Sequence, residues 1–281
     1  MSTARELDQY FTHPKVAKTC FDRLRSVVHL PADAVFLEPS AGEGAFFDLM
    51  PPANRFGFDL QPRQSGIQQQ DFLLYEWPTG RSRAITVGNP PFGKNASLAV
   101  SFFNHAAKFS DVIAFIVPKT FRKGSLVRRL DKNFVLCCDD ELPECSFIFE
   151  GQPYSVPCCF QIWKRSATAR LDIQGPLTHV DFGFVGPQDA DFAVRRVGGL
   201  AGKVLRVFAG YSAASHYFIK ARGNADVLIG RLAGIDWSDV KANNAGNPSI
   251  SKREFVAGYS ATLAAARVTR GASTRALAAA P

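Results

Sequence analysis

Phe36-Leu-Glu-Pro-Ser-Ala-Gly-Glu-Gly-Ala-Phe46 decides how this chain is read. The apolar run Ala34–Leu37 predicts a short buried strand, Glu38–Gly44 a turn, and Ala45–Met50 the start of a helix. A strand closed by an acidic residue and followed by a Gly-rich turn into a helix marks a nucleotide-type site at the carboxyl edge of a sheet. Gly42 and Gly44 admit positive φ and let the backbone approach a ligand closely. A nicotinamide-type G-x-G-x-x-G/A would put Gly or Ala at position 47, where Phe47 stands. Glu38 ahead of the glycines also suits a ligand with an amino group better than a pyrophosphate. A nicotinamide oxidoreductase therefore ranks below the other readings.

Outward from this stretch the pattern alternates. Upstream, Thr12 is placed to cap a helix with Pro14 in an early position, and Val16, Ala17, Cys20, Phe21, Leu24 and Val28 form one apolar stripe. Downstream, Arg55–Asp59 and Ala84–Gly88 predict strands, Ser97–Phe109 a helix and Val112–Val117 a further strand. Phe134–Cys138 and Cys158–Lys164 predict late strands. Strands alternating with helices predict an α/β fold with a doubly wound, mostly parallel sheet over residues 1–165.

After about Arg165 the composition changes. Residues 1–165 carry 19 basic and 17 acidic residues, while residues 166–281 carry 14 and 8, so most of the chain's net charge of +8 lies in the smaller part. This excess permits a polyanionic partner. Gly198, Gly199, Gly202 and Gly210 punctuate this region, and Ser251-Lys-Arg-Glu254, after an Asn243–Pro248 turn, fits a helix capping box. The expected organisation is a catalytic domain to 165, a basic nucleic-acid recognition region over 166–260, and a flexible tail from 261, where Ala, Arg and Thr dominate. The longest apolar run, Val112–Val117, is strand-sized, far below the ~18–20 residues of a membrane span. The first 15 residues hold no apolar signal core, which predicts a cytoplasmic protein with no membrane partner. The six Cys include two adjacent pairs and no C-x-x-C, and the five His show no ligand spacing, so reduced thiols and no metal are expected.

Two more carboxylates and one loop extend the site. Asp59 ends the second strand 17 residues after Gly42, near the roughly 20-residue offset at which a carboxylate accepts from ribose hydroxyls. Asp71 opens Asp71-Phe-Leu-Leu74, placed to accept from an adenine amine while Phe72 packs on the ring. Asn89-Pro-Pro-Phe92 follows an apolar strand. Its prolines stiffen the loop and push Asn89 into extended geometry, so the Asn89 amide oxygen and the Pro90 carbonyl stand together as two acceptors for a planar NH₂ group. Phe92 offers a face for a planar base. On this reading an Asp at position 89 would keep the acceptor geometry.

Gln9-Tyr-Phe-Thr12, Glu38–Gly44, Asp59, Asp71-Phe-Leu-Leu74 and Asn89-Pro-Pro-Phe92 occur in this order. Together they resemble the gamma-type N6-adenine DNA methyltransferases over roughly residues 7–165. The resemblance implies a Rossmann-like methyltransferase domain and S-adenosyl-L-methionine as cofactor. It implies that Phe11 and Thr12 close over the methionine end of the cofactor. Glu38, in its turn with Pro39, Ser40, Gly42 and Gly44, would hold the methionine portion, Asp59 the ribose, and Asp71 with Phe72 the adenine. Asn89, Pro90, Pro91 and Phe92 would hold the target amine. The implied reaction is methylation of adenine N6 in DNA, with DNA ahead of RNA as partner. N-P-P-aromatic loops also occur in methyltransferases acting on RNA adenine, guanine N2 and protein glutamine, so an RNA (or other amino) methyltransferase stays open. So does a non-catalytic nucleic-acid-binding protein that has kept the cofactor fold.

Lys119, Arg122, Lys123, Arg128 and Arg129 follow a strand on the expected active-site edge and are candidates to neutralise phosphates, or equally a solvated face. Arg195, Arg196, Lys203 and Arg206 interleave with Phe192, Phe208, Tyr211 and Tyr217, which suits tracking a backbone and stacking bases, or filling a small core.

Overall fold

The computed structural model describes residues 10–171, 175–243 and 247–278, with side chains described to residue 265 in the last helix. Gln9 and residues 244–246 of the expected Asn243–Pro248 turn lie outside the described residues. The chain divides into two units, Met1–Asp172 and Ile173–Pro281.

The first unit runs β1 (Phe11–Thr12), α1 (Pro14–Val27), β2 (Val35–Glu38), β3 (Arg55–Asp59), β4 (Gln68–Gln69), β5 (Ala84–Gly88), α2 (Ser97–Ala106), β6 (Ser110–Pro118), α3 (Gly124–Val127), β7 (Phe134–Glu141), β8 (Phe147–Phe149), β9 (Gln152–Tyr154) and β10 (Cys158–Arg165). Seven of these strands form one sheet in the order β4-β3-β2-β5-β6-β10-β7. β4, β3, β2, β5 and β6 run parallel to one another, and β10 is antiparallel to both β6 and β7. This is the doubly wound, mostly parallel sheet expected from the alternation of elements, and its strand order reverses between β2 and β5.

Alternation along β6 shows why the sheet is covered twice. Val112, Ala114 and Ile116 pack with Ala17, Phe21 and Leu24 of α1. Ile113, Phe115 and Val117 pack with Ala99, Phe103 and Ala106 of α2. Successive side chains point to opposite faces, so a strand apolar at every position needs a helix on each side.

Three local readings are corrected. Thr12 lies in β1, paired with Phe147 of β8, and the cap of α1 is His13, whose Nδ1 accepts from Lys15 N at 3.2 Å. His13 precedes Pro14 and is held extended (φ −61°, ψ 131°), the geometry a cap needs. Ala45–Met50 contains only a 3₁₀ turn over Phe47–Leu49. Met50 precedes Pro51 and is pushed to ψ 149°, which ends the turn before a helix can form. β8 and β9, absent from the sequence reading, form a hairpin around Glu150 (φ 49°) and Gly151 (φ 76°), a two-residue turn that needs positive φ twice.

The first unit continues past Arg165. Arg170 Nη2 donates to Val127 O at 2.8 Å and Nη1 to Phe134 O, which ties residues beyond β10 back onto the sheet. All six cysteines are free; Cys20, Cys138, Cys158 and Cys159 are buried, and Cys137 and Cys145 are exposed. Among the described residues no helix is long and apolar enough to cross a membrane.

The second unit contains β11 (Phe182–Phe184), β12 (Phe192–Arg195), β13 (Val204–Leu205), β14 (His216–Ala221), α4 (Ala225–Ala233), α5 (Ser238–Ala242) and α6 (Lys252–Ala278). Its strands form an antiparallel sheet in the order β11-β14-β12-β13. Phe182, Val194, Ile219, Trp237, Phe255 and Tyr259 form its core, with Trp237 and Phe255 stacked at 5.5 Å. The segment from 261, expected as a flexible tail, continues α6 to Ala278, consistent with the high helix propensity of Ala and Arg. The capping box at its start is formed: Ser251 N donates to Glu254 Oε2 at 2.7 Å, and Glu254 N to Ser251 Oγ at 3.3 Å. Ser251→Ala should destabilise the second unit by about 1 kcal/mol. The measurement is the midpoint of chemical denaturation, and an unchanged midpoint would show that the box adds nothing.

Candidate active site

The loops that leave β2, β3, β4 and β5 emerge at the same edge of the sheet, because these strands are parallel. Each delivers one of the residues singled out in the sequence: Glu38 at the end of β2, Asp59 at the end of β3, Asp71 after β4, and Asn89 after β5. A cleft of about 280 Å³ lies there. Its walls include Phe11, Thr12, Glu38, Pro39, Ser40, Gly42, Asp59, Asp71, Phe72, Asn89 and Pro91. Gly44, Pro90 and Phe92 stand outside that wall. Phe92, expected as a stacking face, packs against the core on both sides of the sheet. Gln61, Gln70, Leu98 and Phe102 also line the cleft, and no local pattern marks them in the sequence.

Glu38 is 2% exposed, and its Oε2 has no hydrogen-bond partner. Burial holds its carboxyl well above the usual carboxylate range; hydrogen bonds from the Phe47 and Phe46 backbone oppose this, while the charge of Asp59 adds to it. Such an acid is matched by a ligand that brings a positive charge.

The glycine turn is pinned by Asp59. Its Oδ2 accepts from Gly42 N and its Oδ1 from Gln61 N, each at 2.8 Å. Gly42 sits at φ +49°, and a Cβ there would meet Phe11 Cε1 at 2.8 Å, so only glycine lets β1 lie against the turn. Arg63 places its guanidinium over the same Phe11 ring, 4.6 Å from the centroid. Asp71 caps the 3₁₀ turn Phe72–Leu74 by accepting from Leu73 N at 2.9 Å. Phe72 is 1% exposed, with its ring against Phe102 and His105.

Ser40 Oγ donates to Asn89 O at 2.9 Å and so links the loops after β2 and β5. Asn89 Nδ2 donates to Tyr10 O at 2.9 Å, and Asn89 Oδ1 is buried with no hydrogen-bond partner. A carbonyl only accepts, so the NH₂ end of this amide must face Tyr10 and its oxygen is left for something else. An Asp at position 89 would keep an acceptor oxygen but lose this donor and set an oxygen against the Tyr10 carbonyl. Tyr10 is itself held by ring contacts with Phe149 at 5.0 Å and Tyr154 at 5.3 Å, on the β8–β9 hairpin.

The basic candidates divide. Lys119 and Arg122 are paired with Glu141, and Arg122 also with Asp139. In the second unit Phe192 and Tyr217 belong to the core, and Arg196 lies over the Tyr217 ring. Tyr211 is 47% exposed and stacks on His216, and Arg206 pairs with Asp226 at 2.7 Å. Among the described residues no group of three or more His, Cys, Asp or Glu could hold a metal ion.

No family model matches the chain, and no curated protein matches its sequence. Solved structures share its outline. A candidate class I S-adenosylmethionine-dependent methyltransferase from Listeria monocytogenes is 14% identical, with a TM-score of 0.43 over 57% of this chain and 63% of its own. A candidate RNA methyltransferase from Pyrococcus horikoshii is 17% identical, with a TM-score of 0.44 over 59% and 91%. The type IIL restriction-modification enzyme MmeI, in complex with DNA, is 11% identical, with a TM-score of 0.35 over 75% and 48%. The chain thus spans less than two thirds of the Listeria protein. These are likenesses of chain course, and none assigns a substrate.

The buried acid makes stability depend on pH in a defined direction. With its folded pKa raised, Glu38 contributes stability that is complete below the unfolded carboxylate value of about 4.3 and is lost as pH rises toward the folded value. Without ligand, the thermal midpoint of the parent should therefore fall more between about pH 5 and about pH 8 than that of Glu38→Gln. Parallel pH profiles for the two proteins would show that Glu38 titrates as an ordinary carboxyl.

Proposed function

We propose that this chain transfers a methyl group from S-adenosyl-L-methionine to the exocyclic N6 amine of adenine in DNA. The observation that carries the reading is Asn89, an amide on the cleft wall whose NH₂ is committed to Tyr10 O while its oxygen is buried without a partner. An unsatisfied buried acceptor costs about 1–3 kcal/mol, and a ligand NH₂ group relieves it.

The residues present fit the cofactor. Glu38 Oε2 is an orphaned buried acceptor suited to the ammonium of a methionine portion. Asp59, held by two backbone N–H groups, keeps lone pairs for ribose hydroxyls, and Asp71, on the cleft wall, would take the adenine amine. The positive-φ turn at Gly42 leaves no side chain between Phe11 and the cleft. When bound, the cofactor supplies an electrophilic methyl group on a sulfonium.

The chain's own residues then orient the amine. The lone pair of an adenine amine is delocalised into the ring, which makes it a poor nucleophile. Asn89 Oδ1 favours a pyramidal nitrogen whose lone pair points outward; the resemblance assigns the second acceptor to the carbonyl of Pro90, which stands outside the cleft wall in the free protein. Two acceptors held by a stiff loop supply orientation and charge stabilisation, and the methylated amine cation loses its proton to water without a dedicated base. In a duplex the adenine would be flipped out of the stack. The second unit, with the charge excess of residues 166–281, is proposed as the target-recognition part; its exposed Lys203 and Arg206 suit phosphates better than Arg195 and Arg196, which serve the unit's own backbone carbonyls.

The deciding experiment is incubation with labelled S-adenosylmethionine and either DNA or RNA, followed by nucleoside digestion. Label on N6-methyladenine from DNA is expected; label from RNA alone would move the substrate, and no label on any base would end the reading. Asn89→Ala should lower the rate about 10²–10³-fold, the loss typical of a hydrogen bond made in the transition state. It also removes both the bond to Tyr10 O and the buried unpaired oxygen, contributions of about 0.5–1.5 and about 1–3 kcal/mol with opposite sign, so the thermal midpoint should move little beside the loss of rate. A parent rate in Asn89→Ala would reduce the N-P-P-F loop to a turn.

A further inference from the structure

The carboxyl ends of β6 and β7 hold a charge group that methyl transfer does not use. Arg122 donates through Nε and Nη2 to Asp139 at 2.8–3.1 Å, and Gln161 Nε2 donates to the same carboxylate at 3.1 Å. The side chains of Arg122 and Asp139 are only 19% and 22% exposed, so this pair forms the inner layer. The outer partner differs. Glu141 is 58% exposed and takes one cation on each oxygen, Arg122 Nη1 at 2.9 Å and Lys119 Nζ at 3.0 Å. Both donors hold the Glu141 carboxyl below its usual range, Arg122 more than Lys119.

We propose that Lys119 and Arg122 form a site for a backbone phosphate of the DNA substrate, and that Glu141 occupies this site in the free protein. A carboxylate and a phosphodiester each present two oxygens sharing negative charge, and a guanidinium beside an ammonium serves either. Arg122 is already fixed by Asp139, so a phosphate finds the fork in place. Glu141 is exposed, so water can solvate its carboxylate when it leaves, while Lys119 and Arg122, 18% and 19% exposed, favour another anion in its place. The placement is also suitable. β5 and β6 are parallel, with Gly88 opposite Phe115, and Lys119 lies four residues beyond Phe115. Asn89 is one residue beyond Gly88, so Lys119 stands about 10 Å further along the strand direction and one strand over, a distance a nucleic-acid strand covers in a few nucleotides.

The inference rests on DNA being the substrate, and the test separates the two. Fluorescence anisotropy of a labelled, adenine-containing duplex is followed over a salt series for the parent, Glu141→Gln, Asp111→Asn and the double variant Glu141→Gln/Lys119→Gln. Asp111 has the same 58% exposure but stands at the opposite, amino end of β6, so its variant removes one negative charge away from the site. Glu141→Gln should bind about fivefold tighter and steepen the log–log salt slope by about one. Asp111→Asn should change affinity less than twofold, and the double variant should lose the gain. If Glu141→Gln tracks Asp111→Asn, or its gain survives in the double variant, the phosphate site falls while DNA methylation by the parent stands. A parent that neither binds nor methylates the duplex overturns the substrate reading and the phosphate site together.

Discussion

The cleft exists because the chain leaves β2 and β5 toward opposite faces of the sheet. After β2, Phe46 and Met50 join the core on the α1 side, and after β5 the chain enters α2 in the other core. Two neighbouring parallel strands whose continuations diverge leave a gap at their carboxyl ends that no backbone fills. Glu38, Asp59, Asp71 and Asn89 all line that gap. The Ser40 to Asn89 hydrogen bond crosses it once and fixes how far apart the loops stand. Gly88 lets the loops start close together, since a Cβ there would meet Glu38 Cγ at 3.2 Å.

What the gap contains is unusual for a protein interior. Two acceptors, Glu38 Oε2 and Asn89 Oδ1, are buried and unsatisfied, whereas buried polar groups are almost always paired. Folding tolerates them because the neighbouring atoms are over-determined: Asn89 is held by Tyr10 and Ser40, and Glu38 by the backbone of Phe46 and Phe47. Stability is given up at the positions where a ligand can restore it.

Much of this was legible in the sequence, and the reasons differ by element. The parallel sheet was readable because its strands are short apolar runs separated by Gly, Pro and acidic punctuation, a local signal. The clustering of Glu38, Asp59, Asp71 and Asn89 followed from the rule that parallel strands end at one edge. The partner of the Asn89 amide was not readable, because Tyr10 lies 79 residues away and comes near only through the pairing of β1 with β8. The β8–β9 hairpin carries only a short local signal, Glu150-Gly151 between Phe149 and Tyr154. The basic stretch after β6 looked like an open cationic face because Asp139 and Glu141 are 17 and 19 residues from Arg122 and meet it across β10. The packing of Phe92 is not local either: the ring expected as a stacking face is half-buried against both halves of the core, whose residues are distant in sequence.

The distribution of thiols gives the molecule a chemical asymmetry of practical use. Burial pushes Cys20 up to about 12 and raises Cys138, Cys158 and Cys159, so at neutral pH these four are protonated, shielded and slow toward electrophiles. Cys137 and Cys145 are exposed, one on the edge strand β7 and the other two residues before β8. A maleimide dye or spin label applied under native conditions would therefore report from these two positions of the first unit, without any cysteine having to be engineered in or out.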